Sequence, residues 1–324
     1  MRFLIKSKRS SQFRINGVNR ITGHINNPFI MFASEPTCEW EIPSMTESVH
    51  VLKHPMTKYI REDRQPWIYC SGCSIGIVTG MIARAIDNLG LDFHKTVVIS
   101  GIGCTGRTSG YFKTGTYHTT HGRAIAFAEG VKIANPELEV IVVSGDGDIA
   151  AIGGNHLIHA ARRNIDMTVV CINNFNYGMT GGQFGPTTEH EKYSQTSPRP
   201  IGNIEHPFNL VKLAASSGAT FVARWTAVQA RRGTKSIEKG IKKNGFSFIE
   251  IIGACPTEYG RMNRLGDGLE MHKHLLEVAE IQNGLPPHEA ELDYEKRIVC
   301  GEFVDIEKPE YTQVLREMHQ KLKG

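Results

Sequence analysis

No apolar run in this 324-residue chain approaches the roughly 20 residues needed to cross a bilayer. The N-terminus also lacks the continuous apolar core of a secretory signal. Both absences point to a chain that works in the cytoplasm, away from membranes. Charge of one sign is scarce as well: the net charge is only +4, and no basic run is interleaved with aromatics in the manner of a nucleic-acid groove. Nucleic acid is therefore not an expected partner. Internal repeats and low-complexity segments are missing too. Seven cysteines are an odd number, which argues against a purely disulfide framework and for thiols kept reduced. What remains, 40% hydrophobic and 22% charged residues, is ample for one large α/β domain with a substantial core.

The stretch from Glu139 to Gln183 organises the rest. Glu139–Ser144 is a short β-branched run, Gly145-Asp146-Gly147 breaks it, Leu157–Arg163 supplies a helical apolar face, and Met167–Ile172 is a second apolar run. That is one βαβ unit. Its strands are parallel, so both carboxyl ends open on the side of the sheet where ligands of open α/β sheets bind. Asp146 and Asn174 stand at those ends. A carboxylate, an amide oxygen and a backbone carbonyl just beyond Asn174 make a hard oxygen set suited to Mg2+ that is also held by a diphosphate. A lone Gly-Asp-Gly is ordinarily a plain turn. The second half of the unit changes that reading.

The cysteines follow the same rim. Cys70-Ser71-Gly72-Cys73 precedes an amphipathic helix, Ile75–Leu89, that ends at Gly90. Cys104 lies in Gly101–Arg107, directly after the buried-strand run Thr96–Ser100, and Cys255 follows the strand run Phe246–Ile252. Four thiolates from loops on one rim suit a 4Fe-4S cluster, with zinc the other reading of the spacing. Cys171, inside an apolar strand, reads as core packing. Downstream, Phe208–Ser217, Thr220–Arg224, Thr226–Asn244 and Phe246–Ile252 continue the alternation as helix, strand, helix, strand, followed by a helix near Gly268–Gln282.

Gly-Asp-Gly, 25 intervening residues and Asn173-Asn174 together look like the thiamine diphosphate motif. Followed by Asn176-Tyr177-Gly178-Met179-Thr180-Gly181-Gly182-Gln183, the stretch resembles the β subunits of 2-oxoacid:ferredoxin oxidoreductases, and among them the 2-oxoglutarate branch. The resemblance runs from about Met56 to about Tyr311. It implies a thiamine diphosphate-binding α/β fold, a mostly parallel sheet with helices on both faces. It implies oxidative decarboxylation of a 2-oxoacid with coenzyme A to an acyl-CoA and CO2, the electrons leaving through one 4Fe-4S cluster to ferredoxin. Other 2-oxoacids such as pyruvate, a non-oxidative thiamine decarboxylase or synthase, and a zinc-binding interaction protein are the competing readings.

Carried over residue by residue, the resemblance places Mg2+ on Asp146, Asn174 and the carbonyl of Asn176, and the cluster on Cys70, Cys73, Cys104 and Cys255. It surrounds thiamine diphosphate with Ile102, Gly103, Cys104, Thr105, His121, Gly145, Gly147, Asp148, Gly178 and Met179. His121, before Gly122-Arg123, and Arg107 are the expected catalytic residues. Arg107 would bind a substrate carboxylate where relatives often carry lysine, and arginine pairs with carboxylates bidentately where lysine cannot. Ser71 and Ser74 stand where many relatives have Pro and Gly. The glutamate that activates thiamine is expected from an α partner, which would also supply much of the coenzyme A site in a hetero-oligomer of two αβ pairs. Some members add a ferredoxin-like chain.

Three segments are expected: 1–54 as an N-terminal extension, 55–285 as the cofactor domain and 286–324 as a C-terminal tail making subunit contacts. The first 34 residues carry six basic and no acidic residues, leaving a targeting segment, a docking arm or a usual start at Met56 all open. The Thr-, Ser- and Pro-rich loop after Gln183 is expected to cover the cofactor or meet a partner.

Overall fold

The computed structural model describes residues 55–323, so the extension read over 1–54 lies outside the described residues. The described chain falls in one compact unit. Its first half runs α1 (Ile75–Leu89), β1 (Thr96–Ser100), β2 (Gly115–His118), α2 (Ala124–Ala134), β3 (Glu139–Gly145), α3 (Gly154–Arg163) and β4 (Met167–Asn173). After a small hairpin, β5 (Asn176–Tyr177) with β6 (Gln183–Phe184), come α4 (Leu210–Ser216), β7 (Phe221–Thr226), α5 (Ala230–Lys242) and β8 (Phe246–Ile252). Three strands follow, β9 (Ala279–Ile281), β10 (Leu292–Asp293) and β11 (Arg297–Asp305), and a helix over Tyr311–Lys323 ends the described chain.

Six strands lie parallel in the order β2-β1-β3-β4-β8-β7. Every residue of β1, β4 and β8 is buried. That is why these segments read as unbroken apolar runs: helices cover both faces of a parallel sheet. Successive side chains alternate between two cores. Val98, Ile141, Val170 and Ile249 pack towards α1 and α5, whereas Val97, Val142, Val169 and Phe248 pack towards α2, α3 and α4. Cys171 falls in the second core with no exposure, so it is packing rather than rim chemistry. Helix α1 buries Val78, Met81, Ile82, Ala85 and Ile86 and stops where Gly90 turns left-handed at φ 62°, its N–H on the Asp87 carbonyl. Full burial of a side chain the size of its Val, Met or Ile residues is worth about 1.5–3 kcal/mol.

One expectation fails. The segment from 286 is not a tail: β11 pairs antiparallel with β7, with a bulge at Glu302/Val304, and also carries β9 and β10. Ile298, Val299 and Cys300 are buried there, but their partner strand lies far back in the chain, so no local pattern announced the pairing. For the same reason the helix read over Gly268–Gln282 ends at Val278, where β9 begins to pair with β11.

The chain leaves β1 in both directions across the sheet, to β2 on one side and β3 on the other, which creates the crevice where ligands of such sheets bind. The carboxyl ends of β1, β3, β4 and β8 lie side by side, and the loops they launch carry Cys104, Asp146, Asn174 and Cys255.

Candidate functional site

A cavity of about 190 Å3 opens at this rim. Its lining contains all ten residues expected around the cofactor, Ile102 to Thr105, His121, Gly145, Gly147, Asp148, Gly178 and Met179, together with Asp146, Asn174 and Asn176. The chain takes a π-helical turn over Gly147–Ile152 straight after β3 and leads directly into α3. Gly147 is required by a close approach: a Cβ there would lie 2.4 Å from a carbon of the Tyr177 ring.

Three oxygens converge inside the cavity. The side-chain amide of Asn174 places its oxygen 3.2 Å from Asp146 Oδ1 and 3.0 Å from the carbonyl oxygen of Asn176. Turned over, the same amide would instead donate through its NH2 group to both. An octahedral Mg2+ with oxygens at about 2.1 Å sets neighbouring ligands about 3.0 Å apart, so the oxygen-inward arrangement has the edge length of that octahedron. With the amide turned over, the same two distances are hydrogen bonds; a cation in the site would turn the oxygen inward. Asp146 is buried, and burial pushes its carboxyl up to about 7, against the pull of the Thr187 hydroxyl and of backbone N–H groups. A cation would relieve that cost.

The turn bearing these oxygens is held under strain. Phe175, between Asn174 and Asn176, sits at φ 63°, a region that bulky residues avoid. Its N–H donates to Asn173 Oδ1 at 3.2 Å, and its buried ring stacks on Tyr259 at 5.4 Å. Asn173 in turn donates to Glu250 Oε1 at 2.8 Å, and Glu250 is paired with the fully buried Arg224 at 2.6 Å. A buried ion pair between the next two strands, β8 and β7, thus orients the turn that carries these oxygens. Sequence reading missed this network, although a Glu within the apolar strand Phe246–Ile252 is its visible sign.

A second cavity, about 240 Å3, adjoins the first and is lined by Cys70, Cys73, Cys104 and Cys255 with Ile68, Tyr69 and Glu258. Cys104, Asn174, Gly178 and Met179 line both. A Cβ added to Gly178 would stand 3.5 Å from Cys255 Sγ and 3.8 Å from Cys104 Sγ, so two of the thiols flank one backbone point. Burial pushes the Cys73 thiol up to about 12 and that of Cys104 to about 11, with neighbouring thiols adding to both shifts. Among the described residues no three His, Cys, Asp or Glu side chains stand close enough to hold one metal ion. The four thiols share a cavity but are not drawn to a point. Asn176 bridges the two cavities: its carbonyl belongs to the oxygen set, its side-chain N–H points at Cys255 Sγ at 3.7 Å, and its buried Oδ1 has no partner.

Two expected residues behave differently. Asp148 lines the cofactor cavity, yet both of its oxygens accept from protein donors. Arg107 does not reach that cavity; it lines a neighbouring one of about 530 Å3 with Arg64, Tyr111 and His118. The loop after Gln183 contributes what sequence reading left unnamed: Thr187 donates to Asp146 Oδ2, and Thr188 donates to the Phe175 carbonyl at 2.5 Å. That loop braces the oxygen set from behind.

Residues 101–251 match the model of the thiamine pyrophosphate enzyme C-terminal TPP-binding domain, a span that begins directly after β1, runs into β8 and includes the whole oxygen site. A 2-oxoglutarate synthase subunit KorB of Methanocaldococcus jannaschii is 50% identical over 272 residues, spanning 84% of this chain and 99% of the relative. This chain belongs to the family of 2-oxoacid:ferredoxin oxidoreductase β subunits. Another KorB, from Methanothermobacter marburgensis, is 46% identical to this oxidoreductase subunit over 276 residues, 85% of this chain and 96% of that one. Its fold resembles that of the 2-oxoglutarate:ferredoxin oxidoreductase of Magnetococcus marinus, solved with 2-oxoglutarate, coenzyme A and succinyl-CoA bound. The TM-score is 0.72 at 30% identity, covering 84% of this β subunit and 92% of that chain.

Proposed function

We propose that this chain is the β subunit of a 2-oxoglutarate:ferredoxin oxidoreductase, converting 2-oxoglutarate and coenzyme A to succinyl-CoA and CO2 reversibly. One observation carries the reading: the buried Asp146 carboxyl, the Asn174 amide and the Asn176 carbonyl meet in a cavity that shares a wall with a four-cysteine cavity at the carboxyl ends of four adjacent strands. Asp146, Asn174 and the Asn176 carbonyl hold Mg2+ and through it the diphosphate. Thiamine, when bound, supplies the carbon nucleophile that attacks the 2-oxo carbon. Cys70, Cys73, Cys104 and Cys255 would hold one 4Fe-4S cluster, which would supply the electron path to ferredoxin.

The cavity is lined by two aspartates and no glutamate. That supports an α partner as the source of the activating carboxylate, in a cytoplasmic hetero-oligomer that completes the coenzyme A site and in some forms adds a ferredoxin-like chain. No helix of the described residues is long and apolar enough to cross a membrane. Arg107 takes a substrate carboxylate once the partner closes the site.

The test is anaerobic co-purification with the α subunit, followed by metal analysis and assay of ferredoxin reduction with 2-oxoglutarate, pyruvate and indolepyruvate. Brown protein with iron, and a kcat/KM highest for 2-oxoglutarate, is the expected result. Colourless protein containing zinc, or decarboxylation without ferredoxin reduction, would favour the non-oxidative reading. Alone, the chain should exchange hydrogen at the thiazolium C2 slowly, because half of the active site is missing.

A further inference from the structure

Asp148 is almost completely buried and collects four donors from two loops and the end of β3. Its Oδ1 accepts from Ile102 N–H at 3.2 Å, Gly122 N–H at 2.7 Å and His121 Nδ1, and its Oδ2 accepts from the Ser144 hydroxyl at 2.5 Å. Even Gly101 is shaped by it, since a Cβ there would lie 1.7 Å from Asp148 Oδ2. The carboxylate is thus committed to the protein, and three of its four donors come from residues that carry no side-chain chemistry in the site or from a strand end. The fourth is His121, whose ring lines the cofactor cavity and meets Tyr177 edge-on at 6.0 Å.

Asp148 Oδ1 already accepts from two backbone N–H groups and so carries no proton of its own, which leaves the His121 nitrogen facing it as a donor. In neutral His121 the lone pair then falls on Nε2, at the far side of the ring, and the side chain is 38% exposed. Two backbone N–H groups on the same oxygen fix where that oxygen stands, and with it the ring. This is the arrangement by which a buried carboxylate selects a histidine tautomer and steadies the imidazolium that forms on protonation.

We propose that Asp148 is a positioning residue that holds His121 in the Nδ1–H tautomer, presenting Nε2 as a proton acceptor at the cofactor cavity. The ligand group it serves is the thiol of bound coenzyme A. The proton leaves that S–H for Nε2, the electron pair of the broken bond stays on the sulfur, and the imidazolium keeps its Nδ1–H on Asp148. The role rests on the reading of the cavity as the thiamine site, but the tautomer itself does not.

The experiment uses the enzyme assembled with its α subunit. Nitrogen NMR of 15N-histidine protein, with His121→Gln to assign the signal, reads the tautomer without any cofactor. The expected result is the Nδ1–H form in the wild type and in Asp148→Asn. The amide oxygen of that variant must still meet the two backbone N–H groups, so it removes only the charge. His121→Asn preserves a donor to Asp148 and deletes Nε2. It should leave thiamine diphosphate affinity and KM near wild type while lowering kcat about 100-fold or more, and Asp148→Asn should lower kcat by less. An Nε2–H tautomer in the wild type, or unchanged kcat in His121→Asn, overturns the proposal. Failure of the wild type to bind thiamine diphosphate would instead sink the reading of the cavity, whatever the tautomer.

Discussion

The oxygen cavity and the thiol cavity share a wall, yet they are built on opposite principles. The oxygen set comes from residues 146, 174 and 176 of one βαβ unit, and it is already at ligand spacing, with Phe175 strained, Thr187 behind Asp146 and the Glu250–Arg224 pair beneath. The thiols come from three separate segments, around residues 70–73, 104 and 255, and although they face one space they are not drawn together. A hard-oxygen site must be pre-shaped, because its small ion demands strict geometry and each of its bonds is individually replaceable by water. Thiolates form strong bonds and pay a burial cost as bare anions, so the metal can do the drawing together.

That contrast is best broken at its strongest point. Asp146→Ala should abolish Mg2+-dependent thiamine diphosphate binding in calorimetry while leaving the melting temperature within a few degrees, since the carboxylate is a burden to the fold without its cation. Retained affinity in that variant would mean that the oxygens are a turn and not a site. Next in size is the thiol side. Cys255→Ser should lose most of the iron of the anaerobically purified protein and its electron transfer, whereas Cys171→Ser, on the opposite core face, should keep both; equal iron in the two variants would remove Cys255 from the ligand set.

The contrast is sharpened by the brace behind Asp146. Thr187→Val should weaken Mg2+ and thiamine diphosphate binding about 10- to 100-fold, the usual penalty for losing a group that orients a ligand, with the iron content unchanged. A parallel loss of iron would show that the two cavities are one cooperative structure. The smallest effect is expected at Arg107, which lies outside both. Arg107→Ala should raise KM for a dicarboxylic 2-oxoacid more than for pyruvate, by about tenfold at most in the difference. Equal changes for the two substrates would assign the arginine to the surface.

Much of this molecule was legible in its residues. The βαβ unit, the helix ending at Gly90, the strand Phe246–Ile252 and the four rim cysteines stand where periodicity and turn residues placed them, because each is decided by local burial and by glycine. The ten residues expected around the cofactor line one cavity for a related reason: they follow strand ends, and a parallel sheet brings its strand ends together.

The rest needed the tertiary structure. That residues 297–305 form a strand was not apparent from a charged C-terminal segment, since its stability comes from β7, some 70 residues earlier. The resemblance placed Asp148 at the cofactor, where it does line the cavity, but which way its carboxylate turns is set by the donors that surround it, and those include loops 26 and 46 residues away. Arg107 was read from the resemblance, standing where relatives often carry lysine, and the short helical turn over Thr105–Tyr111 carries it to another cavity. Sequence by itself determined which elements form and which chemistry-bearing side chains lie at their ends; the direction each side chain faces was left to packing between segments that share no local code.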